Sequence, residues 1–244
     1  MKKKTVIFDL YGVLFFLKPL VILKQIGWLS TLRFFCKYRT TPYDKYYEIL
    51  DKMREEMPGE YQDVIAFRGN YLPASFCSWQ RGLMSNQEAL EKLLQFIEIL
   101  DQQSYFAQEW EYQLFKNSMR QSFDSKNRIP TMQPNNKLIK NIAALKESNQ
   151  YSLLMLTNID HELLDCLQKA FPEIFALFDD IIASCQVQLI KPEKAIFEHV
   201  LQKHAFDPQE AVFIDDQQEN IASAESLGIK GLLYTKGADI YKLL

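Results

Sequence analysis

Cysteine and histidine are scarce in this 244-residue chain, and the few present are scattered. Cys36, Cys77, Cys166 and Cys185 include no C-x-x-C pair, which excludes a readable zinc site or disulfide framework and suits a reducing, cytoplasmic location. His161, His199 and His204 have no metal-binding spacing and are assigned no chemistry. Neither sign of charge dominates: the formal balance is −3 and the only basic run is Lys2-Lys3-Lys4, so nothing here steers the chain toward nucleic acid. The first lysines run straight into a strand, with no apolar stretch ending in a small-residue cleavage site, so no secretory leader is expected. A clean membrane span is also missing. The most apolar stretch, "VLFFLKPLVILKQIGWLSTLRFFCKY" (13–38), is interrupted by Lys18, Pro19 and Lys24, whereas a spanning helix needs ~20 apolar residues with few charges. Its periodicity favours a buried loop and helix, with a greasy substrate entrance or a membrane-surface contact as the lesser alternatives.

What is present is the composition of a globular protein, 48% hydrophobic and 24% charged, which excludes disorder. Five short apolar runs read as strands: "KTVIFDL" from Lys4, "YSLLMLTN" (151–158), "FDDIIAS" (178–184), "AVFIDD" (211–216) and "GLLYT" from Gly231. None alternates cleanly, and continuous apolar strands are buried on both faces, as in a parallel sheet covered by helices. Helical spacing of Leu138, Ile139, Ile142 and Leu145, and of Leu163, Leu164, Leu167 and Phe171, supplies those helices. A third is expected to open at Pro192 and a fourth to stop at Gly228. Between Phe15 and Arg128 no buried strand is evident. Ser85 and Glu88 have capping-box spacing ahead of Leu90, Leu93, Leu94 and Ile97. Tyr43, Tyr46, Tyr47 and Leu50 suggest another helix, and Trp110, Leu114 and Phe115 a further one. The predicted fold is therefore α/β: a Rossmann-like parallel-sheet core (1–15 and 129–244) interrupted by an α-helical insertion (16–128), with 125–136 as the linker back to the core.

Ligands of open parallel sheets bind at the carboxyl ends of the strands. Asp9 follows the first strand, Thr157 and Asn158 close the second, and Asp215 and Asp216 close the fourth, while Lys191 precedes the helix after the third. Three carboxylates gathered at one edge repel one another unless a cation sits among them, and hard oxygen ligands favour Mg²⁺. A docked phosphate would find its charge spread by that cation, Lys191 and Thr157, leaving Asp9 to attack phosphorus.

"DLYGVL" at Asp9, "LTN" at 156–158, "IKPEKAIF" at 190–197 and "FIDDQQENI" at 213–221 resemble, in order and in strand context, the four motifs of the haloacid dehalogenase-like (HAD) hydrolase superfamily. The resemblance implies Asp9 as nucleophile and metal ligand, the Tyr11 carbonyl as a second ligand, Asp215 and Asp216 as the rest of a Mg²⁺ site, and Thr157, Asn158 and Lys191 as the phosphate holders. It also implies that the helical insertion is a cap. Phosphatases of the superfamily usually carry a second aspartate, the acid and base of the reaction, where this chain has Tyr11. A tyrosine titrates near ~10, so it can give a proton at neutral pH but scarcely take one. Relatives resembling the sugar-1-phosphate phosphatases also lack that aspartate, and their last two motifs are the most similar. The expected substrate is accordingly a small phosphorylated metabolite, with a sugar phosphate favoured. Two alternatives stand beside it. Tyrosine at this place also resembles the 2-haloacid dehalogenases, although those replace Asp215 and Asp216 by small neutral residues. The other alternative is a catalytically weak relative that binds a ligand or partner protein.

Overall fold

The computed structural model describes residues 3–62, 65–67 and 70–238. The chain divides into two compact units, one of residues 1–17 and 132–244 and the other of residues 18–131.

The first unit is built on a five-stranded parallel sheet. Its strands lie in the spatial order Asp180–Ala183, Tyr151–Thr157, Lys4–Phe8, Ala211–Asp215 and Lys230–Leu233. These are the five apolar runs of the sequence, and the reason they lack alternation is visible in their burial: Val6, Ile7 and Phe8 are all inaccessible, as are Leu153 to Leu156. Ile7 stands in register with Leu154 on one side and Phe213 on the other. These residues form one core with Ile196, Phe197 and Val200 of the helix Lys194–His204 and Ile221 and Ala224 of the helix Gln218–Glu225. The rings of Phe197 and Phe213 meet edge to face at 5.2 Å. Each such side chain contributes roughly 1.5–3 kcal/mol of apolar burial, so this layer fixes the sheet that carries the strand ends. Pro192 does not start the helix: Glu193 is its N-cap and Lys194 its first residue. Gly228 does adopt the left-handed conformation beyond the last core helix, at φ +84°.

Four short strands escape the sequence reading. Phe15–Leu17 pairs antiparallel with Met132–Pro134, inside the stretch expected to be a linker, and Ile65–Phe67 pairs with Asn70–Leu72 where no strand was expected. Each has three residues, too few for a period of two to register. The remainder of the expected linker is a helical turn, Ser125–Arg128, capped by Asp124 through the amides of Lys126 and Asn127, followed by a 3-10 turn at Ile129–Thr131.

The second unit is mostly helical. Both bonds of the Ser85/Glu88 capping box are made ahead of the helix Asn86–Gln102, whose buried stripe runs through Ala89, Leu93, Phe96, Ile97 and Leu100. The helix Pro42–Glu56 has a second capping box, Thr41 with Asp44, and Glu109–Phe123 buries Leu114 and Phe115. The apolar stretch 13–38 departs from the expectation of burial. It forms two helices, Pro19–Ile26 and Trp28–Tyr38, hinged at Gly27 with φ +108°. Ile26 and Phe34 are buried, but Leu20, Trp28, Leu29, Leu32, Phe35 and Tyr38 face solvent. Periodicity reports that a helix has an apolar face; it does not report that a neighbour covers it.

Candidate active site

Asp9 occupies the first position past its strand. Its amide still donates to the Ile214 carbonyl at 2.9 Å, so the sheet ladder fixes the residue although its side chain is polar and 4% exposed. Beyond it the chain turns back: Leu14 N and Phe15 N both donate to Leu10 O, and Gly12 N donates to Phe15 O at 2.9 Å. This turn requires Gly12. Its φ is +79°, and a Cβ there would fall on the carboxylate of Asp216, 2.5 and 2.7 Å from the two oxygens. Gly12→Ala is therefore expected to lose about 1–2 kcal/mol for the left-handed backbone alone, and more as Asp216 is displaced. Urea unfolding followed by circular dichroism measures this; an unchanged midpoint would mean that Asp216 has room to move.

Asp9, Asp215 and Asp216 come together, each offering an oxygen within 4.8 Å of the others. Lys191 is buried between two of them, its Nζ donating to Asp9 Oδ1 at 2.6 Å and to Asp215 Oδ2 at 2.7 Å. Asp215, completely buried, also accepts from Gln217 N at 2.8 Å and from Asn220 Nδ2 at 3.0 Å on each oxygen. Asn220 thus steadies Asp215 through both of its oxygens. Asn158 grips the backbone of Lys191 from both sides, Nδ2 donating to the carbonyl and Oδ1 accepting from the amide, each at 2.9 Å. It is the clamp that presents the lysine, a role invisible in sequence because the two residues lie 33 positions apart. The hydroxyl of Thr157 is buried at the end of its strand with no hydrogen-bond partner. An orphaned buried hydroxyl costs free energy unless something completes it, and here it stands at the ligand-binding edge of the sheet.

The electrostatics follow from burial. Burial pushes the Asp9 carboxyl up to about 8; Lys191 opposes the rise, and the charges of Asp215 and Asp216 add to it. For Lys191, burial works to lower the pKa, but the carboxylates of Asp215 and Asp9 more than offset that and hold the ammonium above the ordinary lysine value. One lysine does not neutralise three carboxyl groups. Oxygen donors with residual negative charge at this separation fit a hard divalent cation. Elsewhere, Trp79 belongs to the core: its ring lies tilted against that of Phe123 with centroids 4.4 Å apart, and its Nε1 donates to Asn86. His204 lies beside Asp180 at 2.9 Å, outside the carboxylate cluster.

Residues 3–228 match the haloacid dehalogenase-like hydrolases, and the chain belongs to that family. Bifunctional epoxide hydrolase 2 of Rattus norvegicus is 34% identical to it over 101 residues, 41% of this chain and 18% of that protein. Sesquiterpene phosphatase astK of Aspergillus oryzae is 34% identical over 84 residues, 34% of this chain and 42% of that protein. The chain thus spans under half the length of these curated relatives. Among solved structures, a HAD family enzyme of Bacteroides thetaiotaomicron in complex with magnesium and inorganic phosphate matches over the whole of both chains. Its TM-score is 0.60 at 18% identity, a likeness of fold.

Proposed function

We propose that the protein is a Mg²⁺-dependent phosphomonoester hydrolase working through an aspartyl-phosphate. In this reading the substrate is a small phosphorylated metabolite such as a sugar phosphate, and residues 18–131 form the cap that selects it. The observation that carries this reading is the meeting of the buried Asp9 and Asp215 with the half-buried Asp216 beside Lys191. The magnesium and phosphate of the Bacteroides enzyme and the activity named for the Aspergillus protein support it.

Held by Asp9, Asp215, Asp216 and the Tyr11 main-chain carbonyl, Mg²⁺ would supply positive charge that offsets both the carboxylates and the phosphate oxygens. The remaining chemistry belongs to the chain. An oxygen of Asp9 forms a bond to phosphorus while the bond from phosphorus to the leaving oxygen breaks. Lys191, already charged and fixed by Asn158, and the unpartnered Thr157 hydroxyl donate to the phosphate oxygens. The departing alkoxide takes a proton from water, or from Tyr11, which regains one from solvent before the second step. Water then attacks phosphorus and releases a proton to solvent, the bond to Asp9 breaks, and inorganic phosphate leaves with the carboxylate restored. Tyr11 is a poor acceptor of that water's proton, so this second step is the slow one.

Phosphate release from p-nitrophenyl phosphate and a panel of phosphorylated metabolites, with Mg²⁺ and with EDTA, tests the proposal alongside chloride release from 2-chloropropionate. Phosphate release that requires Mg²⁺ is expected, with no chloride. Chloride release undiminished in EDTA would replace this reading with the dehalogenase one, which Tyr11 favours and the pair Asp215 and Asp216 opposes.

A further inference from the structure

The two helices that open the second unit expose more apolar surface than their packing requires. Leu20 is 74% exposed and Trp28 63%. On the helix Trp28–Tyr38, Trp28, Leu32 and Phe35 recur at i, i+4 and i+7 and form one stripe, with Leu29 beside it, roughly opposite the buried Phe34. The charge around this stripe is one-sided. From Leu10 to Tyr43 there are five basic residues, Lys18, Lys24, Arg33, Lys37 and Arg39, and no acidic one, in a chain whose overall balance is −3. Lys37 is engaged by Glu111 at 2.6 Å, whereas Lys24, Arg33 and Arg39 face solvent.

We propose that this face docks on the surface of a bilayer containing anionic lipid. A Trp/Leu/Phe stripe with cations at its margins is the arrangement that settles at the boundary of headgroups and acyl chains, apolar side inward and charges at the headgroups. The helices have 8 and 11 residues, and among the described residues no helix is long and apolar enough to cross a membrane, so they lie along the surface. A second copy of the chain is the poorer occupant, because pairing two such faces would bring like cations together in a closing interface. The inference rests on the helices alone and requires nothing of the carboxylate site.

Co-sedimentation of the full chain with extruded vesicles tests it, using phosphatidylcholine alone and equal parts phosphatidylcholine and phosphatidylglycerol. Binding to the anionic vesicles is expected, falling as salt is raised, with a blue shift of tryptophan emission that Trp28→Phe removes. Lys24→Gln and Arg33→Gln should each weaken it roughly fivefold. The triple variant Trp28→Ser, Leu32→Ser, Phe35→Ser should lose binding while keeping its circular dichroism spectrum, which shows that the loss is not unfolding. Any of three results overturns the proposal: no binding of the parent to anionic vesicles, equal binding by the triple variant, or a dimer in light scattering that the triple variant dissolves.

Discussion

Asp9→Asn is expected to reduce phosphate release by about a thousandfold or more, the scale on which removal of a nucleophile acts, while leaving the protein folded. Asparagine has nearly the shape of aspartate and keeps an oxygen to accept the Lys191 bond now made to Asp9 Oδ1. It cannot form an acyl phosphate that water reopens. A second readout separates loss of chemistry from loss of structure. The Asp9 carboxyl is pushed up to about 8 by burial, from an unfolded value of about 3.9, so the folded protein holds that proton more tightly than the unfolded chain does. Its contribution to stability is complete below about pH 4 and is lost as the pH climbs through about 8. Asparagine does not titrate and removes this dependence. In EDTA, the Tm of Asp9→Asn relative to the parent should therefore move in the variant's favour as the pH rises through that window. Full turnover by a folded Asp9→Asn protein would reject the covalent mechanism, and a flat Tm difference would mean that the buried cluster does not titrate through Asp9.

The sequence carries the sheet because burial on both faces leaves continuous apolar runs, and those runs at Lys4, Tyr151, Asp180, Ala211 and Lys230 are the five strands. Parallel strands place their carboxyl ends at one edge, so the gathering of Asp9, Thr157 and Asp215 could be inferred without coordinates. What stays hidden depends on partners distant in sequence or on very short elements. Nothing local to Asn158 announces that it clamps Lys191, and nothing local to Asn220 announces that it holds Asp215. Strands such as Met132–Pro134 are defined by the segment they pair with and not by their own pattern. The apolar stretch 13–38 is the opposite case: its character is plain in the residues, and only the structure separates the covered Phe34 from the uncovered Trp28, Leu32 and Phe35.

Tyr11→Asp should raise kcat/KM toward an alkyl phosphate by about a hundredfold, the lower part of the ~10²–10⁴-fold range of general acid–base catalysis, and change kcat/KM toward p-nitrophenyl phosphate much less, while kcat rises for both. The reasoning starts from the backbone. The turn that carries position 11 is held by main-chain bonds, Gly12 N to Phe15 O and Leu14 N to Leu10 O, so a new side chain inherits the same placement two residues after Asp9. A carboxyl added near Asp9, Asp215 and Asp216 would be raised in pKa by their charge, toward the range where it can protonate a leaving oxygen and then take a proton from water. An alkoxide needs the first service; p-nitrophenolate leaves without it, and only the second step is helped. The same fourth carboxyl adds repulsion, so the metal-free variant should also melt earlier than the parent. Steady-state kinetics on both esters, with Tm in EDTA, measure the two effects together. Should turnover fall for both esters while the fold is intact, the tyrosine is part of substrate recognition, and the slow step does not come from a missing base.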